Sequence, residues 1–233
     1  MANDTTIHSA SAPSGLRDGD VLLLRLPGRL PNPVIERVQR RLLRDLGGVP
    51  ESTVLSAARF THAALVYEGL PVWESSPSWN WRVAEMTWPR CRTRPLVELP
   101  SGTLCLARRP QRLRQDPSSV GGVLSEDADA KLCSEAVGYA IRDALKRRAY
   151  PALELLSYWC WSWPCKLGGR KFREVFRSAE RDVCSGSVWR WLREAGLFPE
   201  ADGTCDAFPE AWYPARLACD LERFRTVAAW RVE

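Results

Sequence analysis

A chain of 233 residues that is 45% hydrophobic can bury one sizeable core. No run approaches the roughly 18 apolar residues needed to span a bilayer, and the polar start lacks the apolar core of a secretory signal, which argues against a membrane-spanning or Sec-exported chain. The net charge of +5 and eight cysteines without a C-x-x-C pair leave a zinc site poorly supported, so no metal or cofactor is expected, while phosphate-bearing partners are compatible with the charge.

Residues 1–15 are small and polar and read as a disordered tail, with 16–233 as a single domain. Gly19-Asp20 is a turn feeding a buried strand, Val21 to Leu24. Pro31 and Pro33 punctuate a loop. Val34, Ile35, Val38, Leu42 and Leu46 then follow helical spacing, stopped by Gly47-Gly48. Residues 62–75 read as a β-hairpin through Gly69-Leu70-Pro71, followed by a loop-rich stretch holding Trp79, Trp81 and Trp88. Thr103 to Ala107 is another strand, and Pro110 to Gly122 a polar connector. Ser125 caps a long helix, with acidic residues in its first turn, that is expected to reach Arg148. Pro151 interrupts, and Ala152 to Tyr158 is again helical. A helix opens at Cys184, runs to about Ala195 and stops at Gly196. A turn-rich segment, Phe208 to Pro214, precedes a closing strand, Thr226 to Val232.

Three residues carry the chemistry. Cys184 stands at a helix start, where the dipole and unpaired N–H groups favour a thiolate. The backbone N–H groups of Cys184 and Ser185 are the candidates for holding an oxyanion there. His62 opens a strand, and the only other histidine, His8, lies in the polar tail, so His62 is the candidate base. Glu74 lies twelve residues on, beyond a tight turn, and a regular hairpin would bring it beside His62 to orient the imidazole. Basic clusters lie at Arg108-Arg109, Arg112, Arg114, Lys146-Arg147-Arg148, Lys166 and Arg170-Lys171. Trp159, Trp161 and Trp163, next to Lys166, Arg170 and Lys171, have the composition of a membrane-interface surface, although alternation of the three tryptophans also suits a buried face.

In order and spacing, Gly19-Asp20-Val21, Thr61-His62-Ala63-Ala64-Leu65-Val66, Val72-Trp73-Glu74-Ser75, Thr103 to Arg108, Tyr150 to Leu153, Val183-Cys184-Ser185 and Phe208 to Trp212 are similar to a known family. They resemble the permuted branch of the NlpC-type papain-like hydrolases, the YiiX/YebB-like cysteine hydrolases, whose relatives include lecithin:retinol acyltransferase-like enzymes. That branch runs His, polar residue, Cys along the chain. The resemblance implies an α+β, circularly permuted papain-like fold, with a central antiparallel sheet packed against helices and the catalytic Cys at a helix N-terminus. It also implies acyl chemistry through a thioester. One departure is Gly186, where the family commonly has a glutamate.

Three functions are in competition. A cysteine hydrolase or acyltransferase acting on membrane lipid esters, with peripheral contact to anionic membrane, is favoured by the tryptophans and basic clusters. A peptide amidase such as a peptidoglycan endopeptidase, including one acting as a secreted antibacterial toxin, would use the same residues. A catalytically idle lipid- or peptide-binding module is the third. No nucleic-acid partner is expected. The expected location is the cytoplasm or a membrane surface, with a dedicated secretion system as the route of any export.

Overall fold

Val21 to Leu24 are all shielded from solvent in β1 (Val21–Arg25). A strand buries consecutive residues only when both its faces are covered. The computed structural model of the protein describes residues 13–28, 32–69, 80–87, 89–111, 126–149, 184–198, 214–221 and 223–233. Within them β1 is a central strand of a six-stranded, wholly antiparallel sheet. The other strands are β2 (His62–Glu68), β3 (Trp81–Met86), β4 (Cys91–Pro95), β5 (Leu104–Pro110) and β6 (Phe224–Arg231), in the spatial order β4-β3-β2-β1-β5-β6. The helices are α1 (Asn32–Leu46), α2 (Glu51–Ala57), α3 (Glu126–Leu145), α4 (Cys184–Glu194) and α5 (Pro214–Cys219). The architecture is therefore α+β. Among the described residues no helix is long and apolar enough to cross a membrane.

Alternation along the strands makes two cores. Val21, Leu23, Ala63, Leu65 and Met86 face α3 and α4, whose Val137, Ala140, Val188 and Trp191 complete that layer. Leu22, Leu24, Ala64, Val66 and Val83 line the opposite face with Leu96 and Leu99. A smaller cluster, Leu43, Val54, Ala57 and Ala215, joins α1, α2 and α5. Gln39 ties that cluster together. Its Nε2 donates to the carbonyls of Ala58 (3.2 Å) and Phe60 (2.9 Å), and its Oε1 accepts from the Ala215 N–H (2.9 Å). Every polar atom of this buried side chain is thereby satisfied.

Several expectations change. Residues 13–15 belong to the folded unit, because Pro13 is buried and the Gly15 carbonyl accepts from Arg109 (2.6 Å). Pro33 lies in the first turn of α1, where its missing N–H costs nothing, rather than in a loop. The strand that returns beside β2 is β3, with Glu68 opposite Trp81, rather than 72–75. Trp81 is thus in a strand. α2 and β4 had no sequence signal. The 152–158 helix and all of the Phe208 to Pro214 turn but Pro214, which opens α5, lie outside the described residues. Arg108 and Arg109 serve the fold rather than phosphate. Arg108 is buried and donates to the carbonyls of Asp220 and Phe224 (both 2.5 Å) and to Thr226 Oγ1 (2.9 Å), while Arg109 grips both Asp20 oxygens at 2.8 Å.

The turn into β1 depends on Gly19. Its φ is +79°, and a Cβ there would lie 2.6 Å from the Cβ of Cys133 on α3. Gly19→Ala should lower the denaturation midpoint by at least the roughly 1–2 kcal/mol of a left-handed side chain, with the clash adding to it. Urea titration showing an unchanged midpoint would contradict that close approach.

Candidate active site

α4 starts at Cys184, with no acidic residue in its first turn to oppose the dipole. The helix is pinned along its length. Trp191 is fully buried and its Nε1 donates to Asp143 on α3 at 2.8 Å; Arg190 reaches the same carboxylate oxygen at 2.5 Å. Trp189 stacks on Phe198 with 4.5 Å between ring centroids. Gly196, at φ +79°, closes the helix, as the sequence suggested. A nucleophile on such a helix has little freedom to drift.

The approach to β2 is held as firmly. Gln39 holds the Phe60 carbonyl, the Thr61 N–H donates to Leu24, and Thr61 Oγ1 donates to Asn32 Oδ1 at 2.9 Å. His62 follows as the first strand residue. Ala64 pairs with Glu85 on β3, so His62, Ala64 and Glu85 share one face. His62 Nε2 donates to Glu85 Oε2 at 2.8 Å. With Nε2 taken, Nδ1 is left for Cys184, and imidazole and thiol are hydrogen-bonded. The Cys184 sulfur also accepts from the backbone N–H groups of Ala63 and Ser185, which places it at the start of β2.

Glu85 is only 1% exposed, and two more cations meet it. Arg92 Nε donates to Oε1 at 2.9 Å. Arg94 donates from Nη2 to Oε2 at 3.2 Å, with its Nε 3.0 Å from Oε1. Both oxygens are therefore occupied, and the one facing His62 is fixed.

The charges of the three groups interlock. Burial would by itself lower the basicity of His62, but the Cys184 charge and hydrogen bond, then those of Glu85, outweigh it and raise the pKa to about 10. Burial would raise Cys184, yet the His62 charge and hydrogen bond, with the two backbone N–H groups, bring it below its ordinary value. Burial likewise opposes ionisation of Glu85, but His62, Arg94 and Arg92 hold it down at about 2. The three groups thus favour one another's charged forms, thiolate beside imidazolium beside carboxylate. The other described cysteines move the opposite way. Burial pushes Cys91, Cys105 and Cys133 up to about 12, and Cys219 is raised too. Cys184 is the one described cysteine in an activating environment.

A pH dependence follows from proton counting. His62, raised from 6.5 to about 10, contributes stability that is full below 6.5 and lost as pH rises through about 10; Cys184, lowered from 9.0, contributes stability that is full above 9.0 and lost as pH falls through its depressed value. Above 9.0 the unfolded thiol ionises while His62 keeps its proton, so the contribution lost as pH rises through about 10 is that of His62. On the acid side the Cys184 contribution falls as pH drops through its depressed pKa. Glu85 adds a loss from its ordinary 4.5 down to about 2. Thermal melts against pH, with Cys184→Ala as reference, should show a loss on both the alkaline and the acid flank. A wild-type profile superimposable on that of the variant would mean that the pair is not ionised.

His62, Cys184 and the Ser185 N–H, all anticipated, come together. Glu74 lies outside the described residues, as do Trp159, Trp161, Trp163, Lys166, Arg170 and Lys171; the Nε2 of His62 is already taken by Glu85. Sequence reasoning missed Glu85, Arg92 and Arg94. The available signal was a lone carboxylate inside the apolar run Val83-Ala84-Glu85-Met86, where a charge has no reason to sit unless it is paired. Among the described residues no group of three or more His, Cys, Asp or Glu side chains could hold a metal ion. No family model, curated protein or solved structure matches the chain.

Proposed function

We propose that the protein is a cysteine-dependent acyl hydrolase or acyltransferase of the permuted papain-like type, acting on acyl esters of membrane lipid. The observation that carries this reading is the hydrogen-bonded chain Cys184–His62–Glu85, with the sulfur at a helix N-terminus. The thiolate adds to the ester carbonyl, and the N–H groups of Cys184 and Ser185 are the candidates to receive the developing oxyanion. As the tetrahedral species collapses, the C–O bond to the alcohol breaks and His62 gives its proton to the departing oxygen, leaving a thioester on Cys184. Neutral His62 then takes a proton from water, or from an acceptor alcohol, as that oxygen attacks the thioester. The acid or the new ester leaves, and the thiolate and imidazolium return. Glu85 keeps the imidazole oriented through both halves, so Nδ1 faces the sulfur throughout.

The choice of lipid rests on the tryptophan-rich, basic composition of residues 159–171. Incubation of the purified protein with phospholipid vesicles and, separately, with peptidoglycan, followed by mass spectrometry, tests it. Lyso-lipid with free fatty acid, or acyl transfer to an added alcohol, is the expected product. Cleavage of peptidoglycan alone would move the chemistry to peptide amides, and no product from either together with unreactive Cys184 would overturn the enzyme reading.

A further inference from the structure

The cluster Lys146-Arg147-Arg148 has no part in the chemistry above. It lies where α3 ends, beside β4 at the sheet edge, and Arg90 bridges to Ala149 there. Between these elements is an open cavity of about 210 Å3. Tyr67, Ile141 and Leu145 give it apolar walls, Arg90, Arg92 and Arg147 give it cationic residues, and among the described residues no carboxylate lines it. Arg92 is engaged by Glu85. The side chains of Arg90 and Arg147 are exposed and make no hydrogen bond or ion pair with the described residues.

Cations near a helix C-terminus have an ordinary explanation in the helix dipole. That explanation does not reach Arg147. The Arg148 N–H returns to the Asp143 carbonyl (3.1 Å) and the Arg147 N–H to that of Ala144 (3.0 Å), which leaves Arg147 in the left-handed position of a Schellman cap, at φ +52°. It is the one non-glycine residue with positive φ among the described residues. Glycine takes that position without penalty, and Arg142 already serves the dipole from the last turn. A guanidinium thus stands where the backbone disfavours any side chain, at the mouth of a cavity, with no carboxylate of the described residues to meet it. Next to it stands Leu145, the most exposed large apolar side chain described, at 79%.

We propose that this cavity seats the phosphate of an anionic phospholipid headgroup, with Arg90 and Arg147 meeting the phosphate and Leu145 entering the acyl boundary. A free phosphate would have no use for an exposed leucine, whereas an amphiphile uses both features. The cavity is smaller than the roughly 300–1,000 Å3 that encloses a drug-sized ligand, which suits a headgroup rather than a whole lipid. The site is distinct from Cys184, and its occupancy is read without turnover.

The backbone argument gives the test two opposite signs. Arg147→Gly should raise the melting temperature, because the left-handed strain goes, and should weaken co-sedimentation with phosphatidylglycerol vesicles roughly fivefold, the equivalent of about 1 kcal/mol per basic residue at an anionic surface. Adding Arg90→Gln should weaken it roughly fivefold again. Leu145→Ser should also reduce vesicle binding, at unchanged charge. Arg231→Gln, an exposed arginine on the opposite edge strand, controls for net charge and should change little. The proposal is overturned if Arg147→Gly binds as tightly as wild type, or if Arg231→Gln loses as much. It is also overturned if inorganic phosphate binds in an Arg147-dependent way while anionic vesicles bind no better than phosphatidylcholine ones.

Discussion

Cys184→Ala should abolish acyl transfer, a loss on the order of a millionfold if the rest of the site only binds and polarises substrate. Folding should survive it. The side chain lost is small, and His62 still has Glu85 as a partner, so thermal unfolding near neutral pH should move by no more than the roughly 1 kcal/mol typical of a point substitution. The imidazole reports the change directly. Without the thiolate charge, which is the largest influence raising it, the His62 pKa should fall from about 10, and proton NMR of the ring can follow that. In the wild type, iodoacetamide at neutral pH should modify Cys184 ahead of Cys91, Cys105 and Cys133, whose thiols burial keeps protonated. Full activity in the alanine variant would remove Cys184 from the chemistry.

Glu85→Gln should be nearly as damaging to activity, and unlike Cys184→Ala it should also damage the fold. The carboxylate meets His62, Arg92 and Arg94 while only 1% exposed, and Arg94 is itself 13% exposed. Neutralising that anion leaves Arg94 and His62 without it in a largely desolvated place, while half-exposed Arg92 can turn to water; breaking buried pairs of the first kind costs about 3–5 kcal/mol. Loss of the orienting group should lower kcat on the order of ten-thousandfold. Both effects separate Glu85 from Glu74. If Glu85 orients the imidazole, Glu74→Gln should keep activity within a few fold and leave stability near that of the wild type. The reverse pattern, with Glu85→Gln active and Glu74→Gln dead, would restore the carboxylate expected from the hairpin reading.

Arg94 and Arg92 should tune the site through Glu85 without touching substrate. Arg94→Met removes a cation that favours both the Glu85 carboxylate and, more remotely, the Cys184 thiolate. The acid limb of Cys184 alkylation should therefore move to higher pH, with partial return in Arg94→Lys. An acid limb that stays where the wild type has it would make Arg94 a purely structural partner.

Some of this was legible in the sequence, because short-range physics decides it. The run Val21 to Leu24 after Gly19 could only be a buried strand, and Gly196 after the Leu192 turn could only end a helix. Cys184 next to Ser185 and Gly186 read as a helix start, and with His8 in the polar start of the sequence, His62 was the candidate base by elimination. The carboxylate was decided by tertiary structure. A search along the hairpin led to Glu74, because a tight turn makes sequence distance look like spatial distance. β2 instead returns through β3, whose alternation is broken at the point where Glu85 turns a charge into an apolar face. That break made 81–86 look like loop, and it marks the candidate site. The same limit applies to charge. Arg108 and Arg109 stand in the sequence as one more basic cluster but are bound into the fold by carbonyls and Asp20, whereas Arg90 and Arg147, far apart in the chain, face one cavity. Local propensity follows from neighbours in sequence. Which charges meet, and which remain unpaired, follows only from the register of strands and the end of a helix against a sheet edge.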